Sequence, residues 1–189
     1  MAVKRILRYI KGTLDVGILF PNKSKSKEVH VQGYTDSDWC GDKDDRKSTA
    51  GYVFMYGDAP ISWCSKKEPV VALSSCEAEY IAAAMSACQA AWLDKLLQEL
   101  KVKGSEGVRL LIDNKSAINL AKHPVAHGRS KHIETQLHYM REQVNKGKLT
   151  LLYCYAIEQL AYTFTKPLKG ERFRTLREKL SLFTLSKLN

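Results

Sequence analysis

The stretch VQGYTDSDW, residues 31–39, alternates like a β-strand and runs directly into acidic residues. This alternation places Asp36 on the same face as Gln32 and Tyr34. A carboxylate on a core strand is costly unless it is paired or bound to a cation. Because Asp also commonly begins a turn, a turn acid is the simpler interpretation of these residues alone. The stretch predicts a core strand ending at Asp36, whose role depends on where other acids fall.

The length, hydrophobic fraction and net charge of the chain predict one domain with an appendage, and a polyanionic binding partner. The chain has 189 residues, 44% of them hydrophobic, and a formal net charge of +10. That excess of positive charge favours nucleic acid, although a merely basic globular protein is the alternative. No basic amphipathic stretch is long enough, and no lipidation signal is present, to favour a membrane surface.

The cysteines and the apolar runs indicate an intracellular protein, cytoplasmic or nuclear. The odd cysteine count, without a CxxC pair or zinc spacing, predicts free thiols in a reducing compartment. No apolar run is long enough to span a bilayer, and the basic start lacks the apolar core of a secretory signal. The cysteines are Cys40, Cys64, Cys76, Cys88 and Cys154.

The chain divides into three predicted segments. Residues 1–28 combine an amphipathic basic helix with a polar linker. Residues 29–167 form the main domain, and residues 168–189 form a basic amphipathic helix, reaching Phe183, and a tail.

The order of elements in the main domain predicts an α/β fold with a mixed five-stranded sheet and helices on both faces. In such sheets chemistry gathers at strand ends. The predicted strands are 29–36, 49–56, 61–65, 108–112 and 149–154, and the predicted helices are 75–100, 116–122, 135–146 and 158–165.

Two acids compete for a functional role on the long helix. Glu77 is explained by a capping box with Ser74. At about 100° per residue, Glu79 points about 200° away from Glu77, so both cannot face one site. Glu79 shares its stripe with small residues such as Ala83 and Ser86, which let a helix approach a sheet closely. Glu79 is therefore the functional candidate, and a surface glutamate with a partly buried stem is the alternative.

Asp113 ends the apolar strand 108–112, as Asp36 ends the first strand. It could equally be an ordinary acid at the N-terminus of the next helix. If Asp36, Glu79 and Asp113 converge, they would be ligands for a hard divalent cation such as Mg²⁺, or Mn²⁺ in its place. Paired cations could activate water for phosphodiester hydrolysis, so the pattern and the positive charge together favour a nuclease.

The chain carries, in this order, GYTDSDW, KSTAGYVF, PISWCSKKEPVVALSSCEAEYIAAA, IDNKSAINLAKHPVAHGRSKHIE and LAYTFTKPL. These strings closely resemble the ribonuclease H domain of copia-type retrotransposon Pol polyproteins, over residues 29–180. The leader AVKRILRYIKGTLDVGILF resembles the segment that joins reverse transcriptase to that domain. No polymerase motif or integrase is present, so the chain resembles a polyprotein fragment whose partner would be the reverse transcriptase portion.

The resemblance implies the ribonuclease H fold and Mg²⁺-dependent cleavage of the RNA strand in RNA–DNA hybrids. It makes Asp36, Glu79 and Asp113 the catalytic, metal-binding acids. Family members usually read LADIFTKPL, whereas this chain has Tyr162 in place of the fourth acid. A neutral phenol is a poor Mg²⁺ ligand, so we expect weak binding of a second metal and reduced or absent cleavage.

Hybrid binding is expected to survive better than chemistry, because it depends on basic residues spread over the surface. Ser37, Ser74 and Asn114 could hydrogen bond to the minor groove, where 2′-hydroxyls distinguish RNA. His132 is expected to be structural or a backbone contact rather than a general base. The candidate phosphate contacts are Lys43, Arg46, Lys47, Lys66, Lys67, Arg129 and Lys131.

Three functions follow from these patterns. The first is a hybrid-cleaving nuclease impaired by Tyr162, and the second is a non-catalytic nucleic-acid-binding relic of the same fold. In the third, a structural domain, the acids are only caps and turns.

Overall fold

The computed structural model describes residues 2–20, 30–102, 107–122 and 131–185, without the side chains of 131–133. The elements are α1 (Ala2–Lys11), β1 (Val16–Ile18), β2 (Val31–Asp38), β3 (Thr49–Tyr56), β4 (Ala59–Lys67), α2 (Ser75–Glu99), β5 (Val108–Ile112), α3 (Lys115–Lys122), α4 (Lys131–Asn145), β6 (Leu149–Tyr153), α5 (Tyr162–Thr165), α6 (Gly170–Lys179) and β7 (Leu182–Thr184).

The main sheet has the order β4-β3-β2-β5-β6, with β2, β3 and β4 antiparallel and with β5 and β6 parallel to β2. The predicted α/β fold with a mixed five-stranded sheet is confirmed. Thr35 of β2 pairs with Ile112 of β5, so the acids that follow each of them emerge at the same edge of the sheet. The parallel register therefore brings Asp36 and Asp113 together.

One face of the sheet is covered by α2, which is rich in small side chains. Ala83, Ala87 and Ala90 are buried, and α2 packs on the strands through them. Close packing lets the Ser86 hydroxyl hydrogen bond to Thr35 Oγ1 at 2.9 Å, directly beside the strand end. The small stripe predicted around Glu79 therefore faces the sheet.

The opposite face is covered by α6 and the segment before it. Val53 and Met55 of β3 pack there against Leu160, Leu176 and Leu180. Alternation along β3 explains the two faces, because Phe54 between them points into the α2 side of the core. Helices thus lie on both faces, as predicted.

Three predicted helix boundaries are wrong. The helix predicted to begin at residue 135 is α4, which begins at Lys131. The helix expected over 158–165 is only α5, because the residues before it form turns in which the Gln159 side chain hydrogen bonds to backbone groups. The last helix was expected to include Phe183 but ends at Lys179. Ser181 then takes a positive φ of 54°, and β7 pairs with β1 in a two-stranded sheet.

The leader helix α1 forms as the periodicity predicts but buries none of its residues. Its apolar side chains stay exposed, from 52% at Ile10 to 69% at Val3. The division at residues 28 and 167 remains a prediction, although β1 of the leader is joined to β7 of the C-terminal segment. Among the described helices, none has the length and apolar character needed to cross a bilayer.

Candidate metal centre

Three carboxylates from separate elements meet where β5 ends and where β2 stops pairing with it. The predicted end of the first strand at Asp36 is wrong, because β2 continues to Asp38 in its pairing with β3. Asp36 belongs to β2, Glu79 lies near the start of α2, and Asp113 directly follows β5. One carboxylate oxygen from each of the three lies within 4.8 Å of the others. The structure therefore brings together the three acids that the sequence predicts as ligands.

Two of the three acids are buried too deeply to be solvated surface charges, and Asp113 is half-buried. Asp36 is fully buried and Glu79 is only 6% exposed. Burial, and then the negative charges of Asp36 and Asp113, raises the pKa of Glu79 to about 10. Without a cation, Glu79 therefore holds a proton at neutral pH.

Two oxygens of the cluster have no hydrogen-bond partner among the described residues. They are buried Glu79 Oε2 and Asp113 Oδ1. Buried polar atoms are normally satisfied, so these oxygens on two acids of one cluster are suited to a positive ligand. Carboxylate oxygens are also the donors that Mg²⁺ and Mn²⁺ prefer, so the donor set fits a hard divalent cation.

Tyr162, the first residue of α5, contacts the carboxylate cluster at Asp113. Its hydroxyl donates a hydrogen bond to Asp113 Oδ2 at 2.5 Å. Burial, followed by this hydrogen bond to a carboxylate, raises the pKa of Tyr162, so the phenol stays neutral. It occupies one oxygen of Asp113 but supplies no negative charge.

Both oxygens of Asp36 are engaged by the end of α5 and the residue after it. Thr165 Oγ1 donates to Asp36 Oδ2, and Lys166 Nζ lies 2.8 Å from Asp36 Oδ1. The same ammonium lies 4.0 Å from the centre of the Tyr162 ring, a cation–π arrangement. Sequence reasoning did not single out Thr165 or Lys166, although both stand in the string LAYTFTKPL.

The segment carrying Tyr162 is held over the sheet by a few polar contacts and one glycine. Ser65 Oγ donates to the Phe164 carbonyl at 2.6 Å, and the buried Gln159 amide donates to the Thr35 carbonyl at 3.0 Å. A Cβ on Gly51 would lie 2.7 Å from Thr165 Cγ2 and 2.8 Å from Phe164 Cβ. The absence of a side chain at Gly51 therefore lets α5 approach Asp36, the residue that pairs with it.

The amino-acid sequence of the chain is similar to those of retrotransposon Pol polyproteins. No family model matches the chain. The Pol polyprotein of transposon RE1 from Arabidopsis thaliana is 41% identical over 181 residues, which is 96% of this chain and 12% of that protein. The chain is therefore a relative of copia-type retrotransposon Pol polyproteins. It spans about one-eighth of the length of the Pol polyproteins it matches.

The solved structures that resemble it are ribonuclease H domains, which confirms the predicted fold. The N-terminal ribonuclease H domain of a Mycobacterium tuberculosis protein matches with a TM-score of 0.51 and 10% identity, over 80% of this chain and 98% of that one. LC11 ribonuclease H1, solved in complex with an RNA/DNA hybrid, matches with a TM-score of 0.50 and 11% identity, over 71% of this chain and 93% of that one.

This ribonuclease H-like domain also buries Glu68, an acid that the sequence did not indicate. Glu68 is 1% exposed and accepts a hydrogen bond from Ser37 Oγ at 2.9 Å. Burial raises the pKa of Glu68 to about 7. Ser37 is itself buried, and its role toward nucleic acid remains a prediction.

The two other predicted hydrogen-bonding residues cap helices. Ser74 Oγ accepts from the Glu77 backbone N–H at 3.2 Å at the start of α2, as the capping box predicts. Asn114 Oδ1 accepts from the Ala117 N–H at 3.1 Å and caps α3. Their roles toward nucleic acid remain predictions.

The candidate phosphate contacts are only partly free. Lys43, Arg46 and Lys66 are exposed and Lys47 is half-buried. Lys67 is already paired with two acids of the 40–48 loop, Asp42 and Asp45.

The remaining candidate phosphate contacts are Arg129 and Lys131. Arg129 and the side chains of Lys131 and His132 lie outside the described residues.

Lys66 lies on the same edge of the sheet as the carboxylates. It belongs to β4 and pairs with Ala50 of β3, and Ala50 pairs on its other side with Ser37 of β2, the residue after Asp36.

Proposed function

We propose that this domain hydrolyses the RNA strand of RNA–DNA hybrids with bound Mg²⁺, and that Tyr162 impairs its activity. The observation that carries the proposal is the convergence of Asp36, Glu79 and Asp113 within 4.8 Å at the ends of β2 and β5. Caps and turns would not bring three acids from separate elements into one buried cluster. A purely structural domain is therefore disfavoured.

An RNA–DNA hybrid is the proposed substrate because both the fold and the positive net charge favour it. A solved structure of the same fold, LC11 ribonuclease H1, holds an RNA/DNA hybrid. The net charge of +10 suits a polyanion, and exposed Lys66 and Arg46 supply positive charge to the edge and the loop near the carboxylates. The reverse transcriptase portion of a polyprotein is a proposed partner, since the relatives are Pol polyproteins.

In this proposal the three acids hold the cation and the chain orients the scissile phosphate. Divalent cations, when bound, would activate a water and neutralise the leaving oxygen. Asp36, Glu79 and Asp113 would be the ligands, with Mn²⁺ able to replace Mg²⁺ because both prefer oxygen donors. Glu79 would give up its proton on binding. Tyr162 donates to Asp113 instead of adding a fourth carboxylate, so charge for a second cation is missing.

The test is cleavage of an end-labelled RNA–DNA hybrid by the wild type and Tyr162→Asp, at several Mg²⁺ concentrations. A metal ion is worth several kcal/mol, so the variant should cut about 10²-fold faster or more. Double-stranded DNA of the same sequence should remain uncut. Equal rates for the two proteins would contradict the impairment, and no cutting by either would contradict the nuclease.

A non-catalytic hybrid-binding domain is the second candidate, favoured by the engagement of Asp36 with Thr165 and Lys166. It predicts salt-dependent hybrid binding without cleavage, even in Tyr162→Asp. Location in a reducing compartment, cytoplasmic or nuclear, also stays a prediction; all five cysteines are free thiols in the structure.

A further inference from the structure

The end of α5 places a positively charged side chain among the carboxylates. Lys166 Nζ lies 2.8 Å from Asp36 Oδ1, and Asp36 is fully buried while the lysine side chain is 33% exposed. The acids that pair with Lys67 and Lys146 are by contrast partly exposed. A primary ammonium thus occupies an oxygen that a divalent cation would also need.

The aromatic ring of Tyr162 helps to hold the ammonium in this place. Lys166 Nζ lies 4.0 Å from the ring centre, within the range where a cation is attracted to an aromatic face. An aspartate at position 162 would offer no ring. The substitution to tyrosine therefore removes a negative charge and adds a support for a positive one.

We propose that Lys166 acts as a tethered cation that competes with divalent metal at Asp36 and weakens its binding, and that the domain, which lacks a carboxylate at position 162, binds one divalent ion rather than two. The proposal rests on the proposed function only in taking Asp36, Glu79 and Asp113 as ligands. It adds a residue that sets metal affinity, while the missing carboxylate at position 162 limits the number of bound ions.

Charge counting supports a single ion. The ionised carboxylates of Asp36, Glu79 and Asp113 carry three negative charges, of which Lys166 balances one. One divalent ion neutralises the remainder. A second ion would leave net positive charge in a buried site without a fourth carboxylate, and like charges at such distances repel strongly. The ammonium would stay nearby to balance that charge, but it would have to leave Asp36 Oδ1 when metal takes this oxygen, which adds to the cost of binding metal.

The experiment is a titration of the full chain with Mn²⁺, followed calorimetrically and by the paramagnetic resonance of free Mn²⁺. Lys166→Met removes the charge and keeps much of the side-chain length. A charge-assisted hydrogen bond is worth enough that the variant should bind Mn²⁺ about tenfold more tightly or better. Stoichiometry should stay at one ion and rise to two when Tyr162→Asp is added.

The matched control is Lys169→Met, because Lys169 is exposed and lies on the same segment. It should bind Mn²⁺ like the wild type, as should Lys166→Arg, which keeps the charge. If the methionine variant does not fold, Lys166→Gln repeats the test with a neutral polar side chain.

Unchanged or weaker Mn²⁺ binding by the neutral variants, or two ions in the wild type, would overturn the proposal. The proposed nuclease can fail separately: Mn²⁺ affinity can respond to Lys166 even if Tyr162→Asp cuts no hybrid. Conversely, cleavage by Tyr162→Asp with no effect of Lys166 on affinity would leave the nuclease standing and reject the tethered cation.

Discussion

The carboxylate side of the candidate metal centre comes from two central strands and the longest helix, whereas the facing side comes from α5, a helix of four residues. The position of Asp36 and Asp113 is fixed by the register of β2 and β5, and that of Glu79 by the close packing of α2. The α5 side is held by isolated contacts such as that between Ser65 and Phe164.

This difference shows why one side of a site can change while the other persists. Moving any of the three acids would disturb buried strand pairing or helix packing. Replacing an acid at position 162 alters only side-chain contacts at the surface of the sheet. We therefore expect the carboxylate side to be rigid and the α5 side to yield, a contrast that paired glycine substitutions can test.

The largest expected effect separates the two sides through Gly33→Ala and Gly51→Ala. A Cβ on Gly33 would lie 2.5 Å from Phe54 Cε1 and 2.9 Å from Leu110 Cδ1, both in the buried core. Gly33→Ala should lower the free energy of unfolding by about 3 kcal/mol, the upper range for overpacking. Gly51→Ala should cost only about 1 kcal/mol, because α5 can move away.

Urea unfolding of each variant measures these costs, and Gly17→Ala is the control, since nothing lies within 4 Å of its Cβ position. Gly51→Ala should also weaken the contact of Lys166 with Asp36 and so tighten Mn²⁺ binding. Equal losses of stability for Gly33→Ala and Gly51→Ala would break the contrast between a rigid and a yielding side.

A smaller effect concerns the pH dependence of stability and the buried charge of Glu79. Its pKa is raised to about 10 in the folded protein, so between about 4.5 and 10 the folded state holds a proton that the unfolded state has lost. Stability without metal should therefore fall as pH rises, by at most about 1.4 kcal/mol for each pH unit. Glu79→Gln cannot ionise and should flatten this fall.

Thermal unfolding in a metal chelator between pH 6 and 9 compares the two proteins. Glu68 contributes a similar trend that levels off near its pKa of about 7, so the difference above pH 7 isolates Glu79. Parallel curves for the wild type and Glu79→Gln would mean that the carboxyl ionises freely in the fold, and the carboxylate side would not be as tightly packed as described.

The sheet and the three acids could be predicted because each depends on a local pattern. The alternation of apolar and polar residues predicted the strands. The small residues on the same face of α2 as Glu79 indicated that Glu79, and not Glu77, faces the sheet. The contact between Lys166 and Asp36 joins residues 130 positions apart, and a flexible side chain carries no periodicity that reveals its partner. The family strings contain Lys166, but only the fold shows which carboxylate it reaches.

The short elements near the C-terminus were mispredicted for a related reason. The apolar spacing of Leu176, Leu180 and Phe183 favours a continuous helix, but Ser181 turns the chain and Leu182–Thr184 becomes β7. A strand of three residues exists only because β1 lies beside it, far away in sequence. Such long-range pairing competes with local propensity and is not visible in the pattern.

Divalent metal binding at Asp36, Glu79 and Asp113 underlies every function proposed for this site, and Mg²⁺-dependent thermal unfolding of the wild type and Asp113→Asn measures it. A ligand that binds only the folded state raises the melting temperature with concentration. We predict a saturable rise for the wild type that Asp113→Asn abolishes, while Asp58→Asn, at an exposed acid, retains it. No rise in the wild type, or the same rise in Asp113→Asn, would contradict the account.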